Sequence, residues 1–363
     1  LNVRGGDVPY TPVALSFAII HADASLDWYI DTRKLTPSIL EKMDPKISLH
    51  EPSSLGQALK NLGSANKTVR LDPGGAPAWT SVQLKGTGAT INFGDDPCQL
   101  VKAKKNTVQI QGMRNAHVRD GIAMTQFLAW LSKQPLGPDL TELQAAKKLE
   151  ALRHKNDHYQ GPSFTTIAGS GPNGAVVHYR VTQESDRLLG EGELFLIDSG
   201  GHYLDGTTDV TRTVAIGTPC PEMIKHWTLV LKGHIALAEA CFPPGTTGSQ
   251  LDILARHSLW KHGLDYDHGT GHGVGSFLSV HEGPQRVSKA SNVTKLEPGM
   301  VVSNEPGLYI KGAYGIRIEN LIAVTKLPRP DSADHDIYGF ETLTLVPLDQ
   351  KLIDITLMEE KEI

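Results

Sequence analysis

Apolar and polar positions alternate in short runs over the first hundred residues and then change to a helical spacing. Residues 14–20 and 26–30 have the β-rich character of two strands, and residues 54–62 read as a short amphipathic helix. Residues 69–71 read as another strand, ahead of the turn-rich Asp72-Pro73-Gly74-Gly75-Ala76-Pro77. Strands alternating with helices predict an α/β unit here. The character changes near residues 95–97. Residues 104–133 then carry Met113, Val118, Ile122, Phe127 and Leu131 at helical spacing, and residues 140–152 read as a second helix behind Pro138-Asp139. Strands are expected at 165–168 and 176–179. A buried strand at 194–197 ends on Asp198, Gly200-Gly201 turns the chain, and 207–216 returns. Two more helices, 222–240 and 249–262, precede strands at 300–304, 308–310 and 315–325. The order is helices, hairpin, helices, hairpin. It predicts two similar halves facing each other in an α+β arrangement.

Composition narrows the class. The length of 363 residues suffices for two domains, expected at 1–102 and 103–363. A net charge of -5 leaves no basic footprint for nucleic acid, and no apolar run reaches membrane-spanning length. Neither nucleic acid nor a membrane is therefore an expected partner. Cys98, Cys220 and Cys241 are odd in number and lack C-x-x-C spacing. They argue against a disulfide framework or a thiolate-held metal and for a reducing, cytoplasmic compartment. No secretory signal opens the chain, and Leu1 is not an initiator Met, so a fragment of a longer protein is expected.

Candidate chemistry gathers in five short segments of the second region. They are Leu-Ile-Asp-Ser-Gly-Gly (196–201), Thr-Thr-Asp-Val-Thr-Arg-Thr (207–213), His-Gly-Thr-Gly-His-Gly-Val-Gly (268–275), Ser-Asn-Glu-Pro-Gly (303–307) and Gly-Ile-Arg-Ile-Glu-Asn (315–320). A strand–turn–strand hairpin would put Asp198 and Asp209 on one face. Asp198 follows Leu194-Phe195-Leu196-Ile197, and a buried carboxylate requires a partner, a metal or a proton. Arg317 and Glu319 share one face of a strand, with Ile316 and Ile318 on the other. Each acid taken alone also fits a plainer role: a turn-opening Asp198, a solvated Asp209, a pre-turn Glu305, a surface Arg317–Glu319 pair. His268 and His272 have the four-residue spacing of a helical zinc site, but the glycines at 269, 271, 273 and 275 argue against a helix and no Glu occupies 269. The glycine-rich loop instead lets backbone come close to a metal or substrate, with one imidazole ligating and the other reaching substrate. His281 and His178, taken alone, read as core histidines. Four carboxylates in one pocket cannot all ionise unaided. Two divalent cations would balance them, and an oxygen-rich set with one nitrogen suits Mn²⁺, Fe²⁺, Co²⁺ or Zn²⁺.

The order Asp198, Asp209, His272, Glu305, Glu319 resembles the dinuclear metallopeptidases of the pita-bread fold. Residues 267–284, 304–309, 314–320 and 343–347 are similar to the Xaa-Pro aminopeptidase (aminopeptidase P) family, and residues 1–9 resemble part of that family's second domain. The resemblance implies a pita-bread catalytic domain preceded by a partial α/β creatinase-like domain. It implies two metals, with manganese the usual one and Zn²⁺ or Co²⁺ as alternatives. Asp198, Asp209 and Glu319 would hold one, and Asp209, His272, Glu305 and Glu319 the other. Glu305 would be the general base towards a bridging hydroxide. His178, His268 and His281 would contact substrate around the scissile bond, with Arg317 beside them. The implied substrates are peptides with proline second, and the full-length protein is expected to be a homodimer. Relative to that family, the chain lacks a first domain and the start of the second, and stops soon after residues 343–354. The rival readings are a prolidase acting on dipeptides and a non-catalytic pita-bread binding module. A creatinase-type amidinohydrolase does not need this ligand set, and the extra N-terminal region disfavours a methionine aminopeptidase.

Overall fold

The computed structural model describes residues 2–329 and 334–363, in two compact units, residues 1–101 and 102–363. In the first unit, β1 (Phe17–Ile20) and β2 (Leu26–Tyr29) form an antiparallel hairpin, and β2 pairs in parallel with β3 (Ile47–His50). Helix α1 (Pro37–Glu41) lies in the crossover. Helix α2 (Leu55–Ser64) follows, and its buried Leu55 and Leu59 are one helical turn apart. Then β4 (Thr68–Leu71) and β5 (Thr90–Phe93) pair in parallel around α3 (Ala78–Leu84). Tyr29, Leu55, Leu59 and Leu84 form the core of this α/β unit. Helix α4 (Pro97–Ala103) leads into the second unit.

The second unit repeats one arrangement twice. Helices α5 (Thr107–Leu131) and α6 (Glu142–Arg153) pack on an antiparallel sheet of β7 (Ile167–Ser170), β8 (Glu193–Ser199) and β11 (Val210–Ile216). Helices α7 (Pro221–Ala238) and α8 (Gly248–Trp260) pack on an antiparallel sheet of β14 (Val301–Asn304), β17 (Asn320–Leu327) and β18 (Ile337–Thr342). The helix starts are set locally. Asn106 and Thr247 form capping boxes with Gln109 and Gln250, Thr141 caps Gln144, and Pro221 opens α7. Smaller ladders fill the spaces between. β6 (Tyr159–Pro162) pairs with β9 (Gly201–Tyr203), which pairs with β10 (Gly206–Thr207). β12 (Gly271–His272) pairs with β13 (Arg286–Val287), and β15 (Gly307–Ile310) with β16 (Tyr314–Arg317). The two mixed halves are the α+β arrangement expected from the sequence. Among the described residues no helix is long and apolar enough to cross a membrane.

Two expectations change. Residues 176–179 are not a strand: Gly171–Ala175 forms a 3-10 turn whose Asn173 carbonyl accepts the Val176 amide, and Tyr179 is drawn inward by its hydroxyl bonds to Glu142 and Ser185. His178 therefore sits on a turn and is exposed. The single strand expected over 315–325 is two, because the chain leaves β15 after Arg317 and joins β14 at Asn320.

One buried ion pair ties three elements of the first half together. Arg153, at the end of α6, donates Nε to Asp120 Oδ1 at 2.7 Å and Nη2 to Oδ2 at 3.0 Å, and Tyr203 of β9 donates to the same carboxylate at 2.8 Å. Asp120→Ala leaves the Arg153 charge buried and alone, which costs about 3–5 kcal/mol, whereas Tyr203→Phe removes one hydrogen bond at about 1 kcal/mol. Denaturant unfolding of the two variants checks this, and equal losses would rule out Arg153 desolvation as the source.

Candidate metal centre

Each of the five candidate ligands stands where a strand begins, ends or breaks. Asp198 is the penultimate residue of β8, opposite Thr211, and Asp209 immediately precedes β11. The two acids thus meet at the open end of one hairpin, while β9 and β10 carry the intervening chain to another sheet. Glu305 lies between β14 and β15, its amide bonded to the Thr270 carbonyl at 2.8 Å. Glu319 fills the break between β16 and β17, and its amide donates to the Thr211 carbonyl at 3.2 Å. His272 sits on β12, packed close to β14: a Cβ on Gly271 would lie 1.9 Å from the Ser303 carbonyl oxygen, so only glycine permits this approach.

Hydrogen bonds fix the side chains. Thr211 Oγ1 donates to Glu319 Oε2 at 2.7 Å, and Ser303 Oγ donates to Glu305 Oε1 at 2.9 Å while accepting the His272 amide at 2.9 Å. His272 Nδ1 lies 2.9 Å from the Gly273 carbonyl, which only accepts, so Nδ1 carries the proton. Its Nε2 then offers a lone pair, and faces Asp209 Oδ2 and Glu305 Oε1 at 3.5 Å each. Three acceptors facing one another repel unless a cation lies among them. Donor atoms of Asp209, His272 and Glu319 lie within 4.8 Å of one another, and Asp198 Oδ1 is buried without a hydrogen-bond partner. This donor set fits divalent metal.

The electrostatics agree. Burial, then Asp198 and Glu305, raise the Asp209 carboxyl well above its ordinary range. Burial, then Asp209, Glu305 and Asp198, do the same to Glu319. Burial also raises Glu305, with His272 and Arg317 pulling the other way. The counter-charge comes from Arg317. It donates Nη2 to Asp198 Oδ2 at 2.6 Å, Nη1 to the Tyr309 hydroxyl at 2.6 Å and Nε to Thr211 Oγ1 at 3.2 Å. Burial works against that charge, yet Tyr309, Asp198, Glu305 and Glu319 hold Arg317 firmly protonated.

The histidines take different places. His281 meets His272 edge to face, with ring centroids 4.2 Å apart. His268 has both nitrogens engaged, Nδ1 by the Gly269 carbonyl at 2.7 Å and Nε2 by the Tyr309 hydroxyl at 2.9 Å, and burial pushes its pKa down to about 4. His178 is close enough to act electrostatically on both His268 and His281. Sequence reasoning missed Tyr309, Thr211 and Ser303, which orient Arg317, Glu319 and Glu305. Thr211 and Ser303 each stand two residues from a candidate acid on the same strand path, a period-2 signal that would have found them.

The fold and site can now be set beside known proteins. Residues 111–326 match metallopeptidase family M24, residues 1–109 the creatinase/prolidase N-terminal domain, and residues 336–363 the C-terminal region of peptidase M24. Two relatives described as probable Xaa-Pro aminopeptidase P, from Arthroderma gypseum and Tuber melanosporum, are each 42% identical over 99% of this chain. The matches take in 58% and 61% of those relatives, so the chain spans about three-fifths of their length. The crystal structure of X-prolyl aminopeptidase from Caenorhabditis elegans, described as a cytosolic enzyme with a di-nuclear active site, is similar at a TM-score of 0.89 and 38% identity, over 99% of this chain and 59% of that one. Prolidase from Pyrococcus furiosus is similar at 0.74 and 25%, over 92% and 90%.

The carboxyl cluster makes metal-free stability fall with rising pH. Asp209, Glu305 and Glu319 bind protons more tightly folded than unfolded, so stability is lost as pH climbs from their ordinary values of 3.8 and 4.5 towards neutrality. In chelator, Glu319→Gln is more stable than the parent by on the order of 1 kcal/mol at about pH 8, and the two are equal at about pH 4. Denaturant titrations at both pH values measure this; parallel pH profiles would contradict it.

Proposed function

The chain belongs to metallopeptidase family M24, and on that premise we propose that it is a metal-dependent aminopeptidase that removes the N-terminal residue of peptides whose second residue is proline. The observation that carries the reading is the convergence of Asp209, His272 and Glu319 donor atoms, with Asp198 and Glu305 beside them and Arg317 bonded to Asp198. Asp198, Asp209 and Glu319 would hold one divalent ion, and Asp209, His272, Glu305 and Glu319 the other, with manganese the metal we favour. Bound there, the ions supply positive charge that polarises a carbonyl and lowers the pKa of water.

The chain's own groups do the rest. Glu305, its Oε1 fixed by Ser303, takes the proton of the attacking water as general base. His281, standing at the edge of His272, donates to the scissile carbonyl oxygen as it becomes an oxyanion. The C–N bond then breaks, and the proline nitrogen leaves as a secondary amine after taking up the proton that Glu305 removed from the water. His268 and His178 flank the substrate, and Arg317 holds the Asp198 carboxylate in place. Proline's tertiary amide has no N–H to bind, so recognition rests on shape around the ring. The two aminopeptidase P relatives and the nematode enzyme support this substrate class, and the latter's cytosolic description supports a cytoplasmic site of action. Homodimer assembly of the full-length protein is carried over from the family resemblance.

The test is release of the N-terminal amino acid by metal-stripped protein given Mn²⁺, on a tripeptide with proline second and on an Xaa-Pro dipeptide. Faster Mn²⁺-dependent release from the tripeptide is expected. Release from the dipeptide alone makes the chain a prolidase, and no release with two ions bound makes it a binding module. Glu305→Gln should lower kcat by about 10²–10⁴-fold; an unchanged kcat would remove Glu305 from the base role.

A further inference from the structure

A cavity of about 510 Å³ opens beside the metal centre, running from His272 and His281 past Gln285 and Arg286 to Asn292 and Val293. Arg286 is placed there by strand register. It lies directly opposite His272 in the β12–β13 ladder, so both side chains leave the same face. Its Nη2 donates to the Ser291 carbonyl at 3.1 Å, and Asn292 Nδ2 donates to the Pro284 carbonyl at 3.0 Å, which holds the outer wall against the ladder. Arg286 is exposed and has no carboxylate partner among the described residues. The acid on the same wall, Glu282, is buried and already within 3.3 Å of Lys102 Nζ. The wall therefore presents one uncommitted guanidinium to whatever fills the cavity.

Resting on the aminopeptidase reading above, we propose that this cavity receives the peptide downstream of proline and that Arg286 selects a carboxylate carried there. An aminopeptidase has one residue upstream of the scissile bond and an open-ended chain downstream. The cavity begins at His281, which faces the scissile carbonyl, and ends in solvent. Its volume falls in the roughly 300–1,000 Å³ range of sites that hold whole small ligands, too large for the single upstream residue. A guanidinium free on its outer wall pairs in a bidentate manner with a carboxylate. Two sources supply that group: the free C-terminus of a short peptide, or an Asp or Glu side chain after the proline. Because the contact lies away from the reacting atoms, it strengthens ground state and transition state alike and is read in KM rather than kcat.

The experiment uses four tetrapeptides with proline second: neutral and C-terminally amidated, neutral with a free C-terminus, amidated with Glu after proline, and amidated with Lys after proline. Steady-state kinetics are measured for the Mn²⁺-loaded parent, Arg286→Gln and Arg286→Glu. The parent should show a KM about three- to tenfold lower for at least one carboxylate peptide than for the neutral amide, shrinking with added salt. Which peptide gains identifies the source. Arg286→Gln should lose the preference, and Arg286→Glu should turn it towards the Lys peptide. All three proteins should share kcat and KM on the neutral amide, showing an intact centre. Cleavage by the parent without carboxylate preference overturns this inference alone, as does a kcat loss in Arg286→Gln on every peptide. Failure of the parent to cleave any of the four overturns the aminopeptidase reading, and this inference falls with it.

Discussion

A single buried guanidinium among four carboxylates is the constraint from which the catalytic unit is built. Arg317 bonds Asp198 and carries one charge, against the potential four of Asp198, Asp209, Glu305 and Glu319. The imbalance would expel the acids unless rigid backbone held them together, and holding them together is what raises Asp209, Glu305 and Glu319. Three consecutive residues of β11 do that holding. Thr211 bonds the Glu319 carboxylate, and Thr213 Oγ1 donates to the Arg317 carbonyl at 3.0 Å and accepts its amide at 3.1 Å. Between them Arg212, on the opposite face, donates to the carbonyls of Thr211, Glu319, Val346 and Pro347 and to Asn320 Oδ1. Burial lowers its pKa to about 10, and its role is to satisfy backbone where β16 gives way to β17.

The division into halves follows from the same need. Asp198 and Asp209 come from the hairpin end of the first sheet, and His272, Glu305 and Glu319 from the loops and strand ends of the second. Each helix pair buries its own sheet, so the strand ends are fixed by two separate apolar clusters as well as by the bonds from β11 to Arg317 and Glu319. Such a site withstands internal repulsion because separating its acids would require unpacking a core.

What the sequence revealed follows the same logic. Asp198 was legible because Leu194-Phe195-Leu196-Ile197 announces a buried strand ending on an acid. The break at Glu319 was not, since the Ile316 and Ile318 alternation runs through it unchanged while the hydrogen-bond partner switches. Val176-Val177-His178-Tyr179 has strand composition, but the Asn173 turn and the Tyr179 hydroxyl network are tertiary facts that override propensity. β6 was unseen because its Tyr159-Gln160-Gly161-Pro162 contains a bulge and two strand breakers. Five ligand candidates were therefore readable as residue types in order; of the side chains that aim them, Thr211 and Ser303 carried only a period-2 hint and Tyr309 became visible only in three dimensions.

The β12–β13 ladder shows how chemistry and selection can share a support yet vary apart. Its inner pair, Gly271 and Val287, is locked: Gly271 touches the Ser303 carbonyl, and Val287 is fully buried in the cluster between α8 and β14. Its outer pair, His272 and Arg286, is carried on that anchor. His272 turns inward, its Nδ1 proton committed to Gly273 and its Nε2 aimed at the acids. Arg286 turns along the cavity and bonds only a loop carbonyl. A change at Gly271 or Val287 would displace both, whereas a change at Arg286 leaves the anchor and the imbalance around Arg317 untouched. The reaction can therefore stay fixed while the downstream end of the peptide is read by a residue that no buried charge depends on.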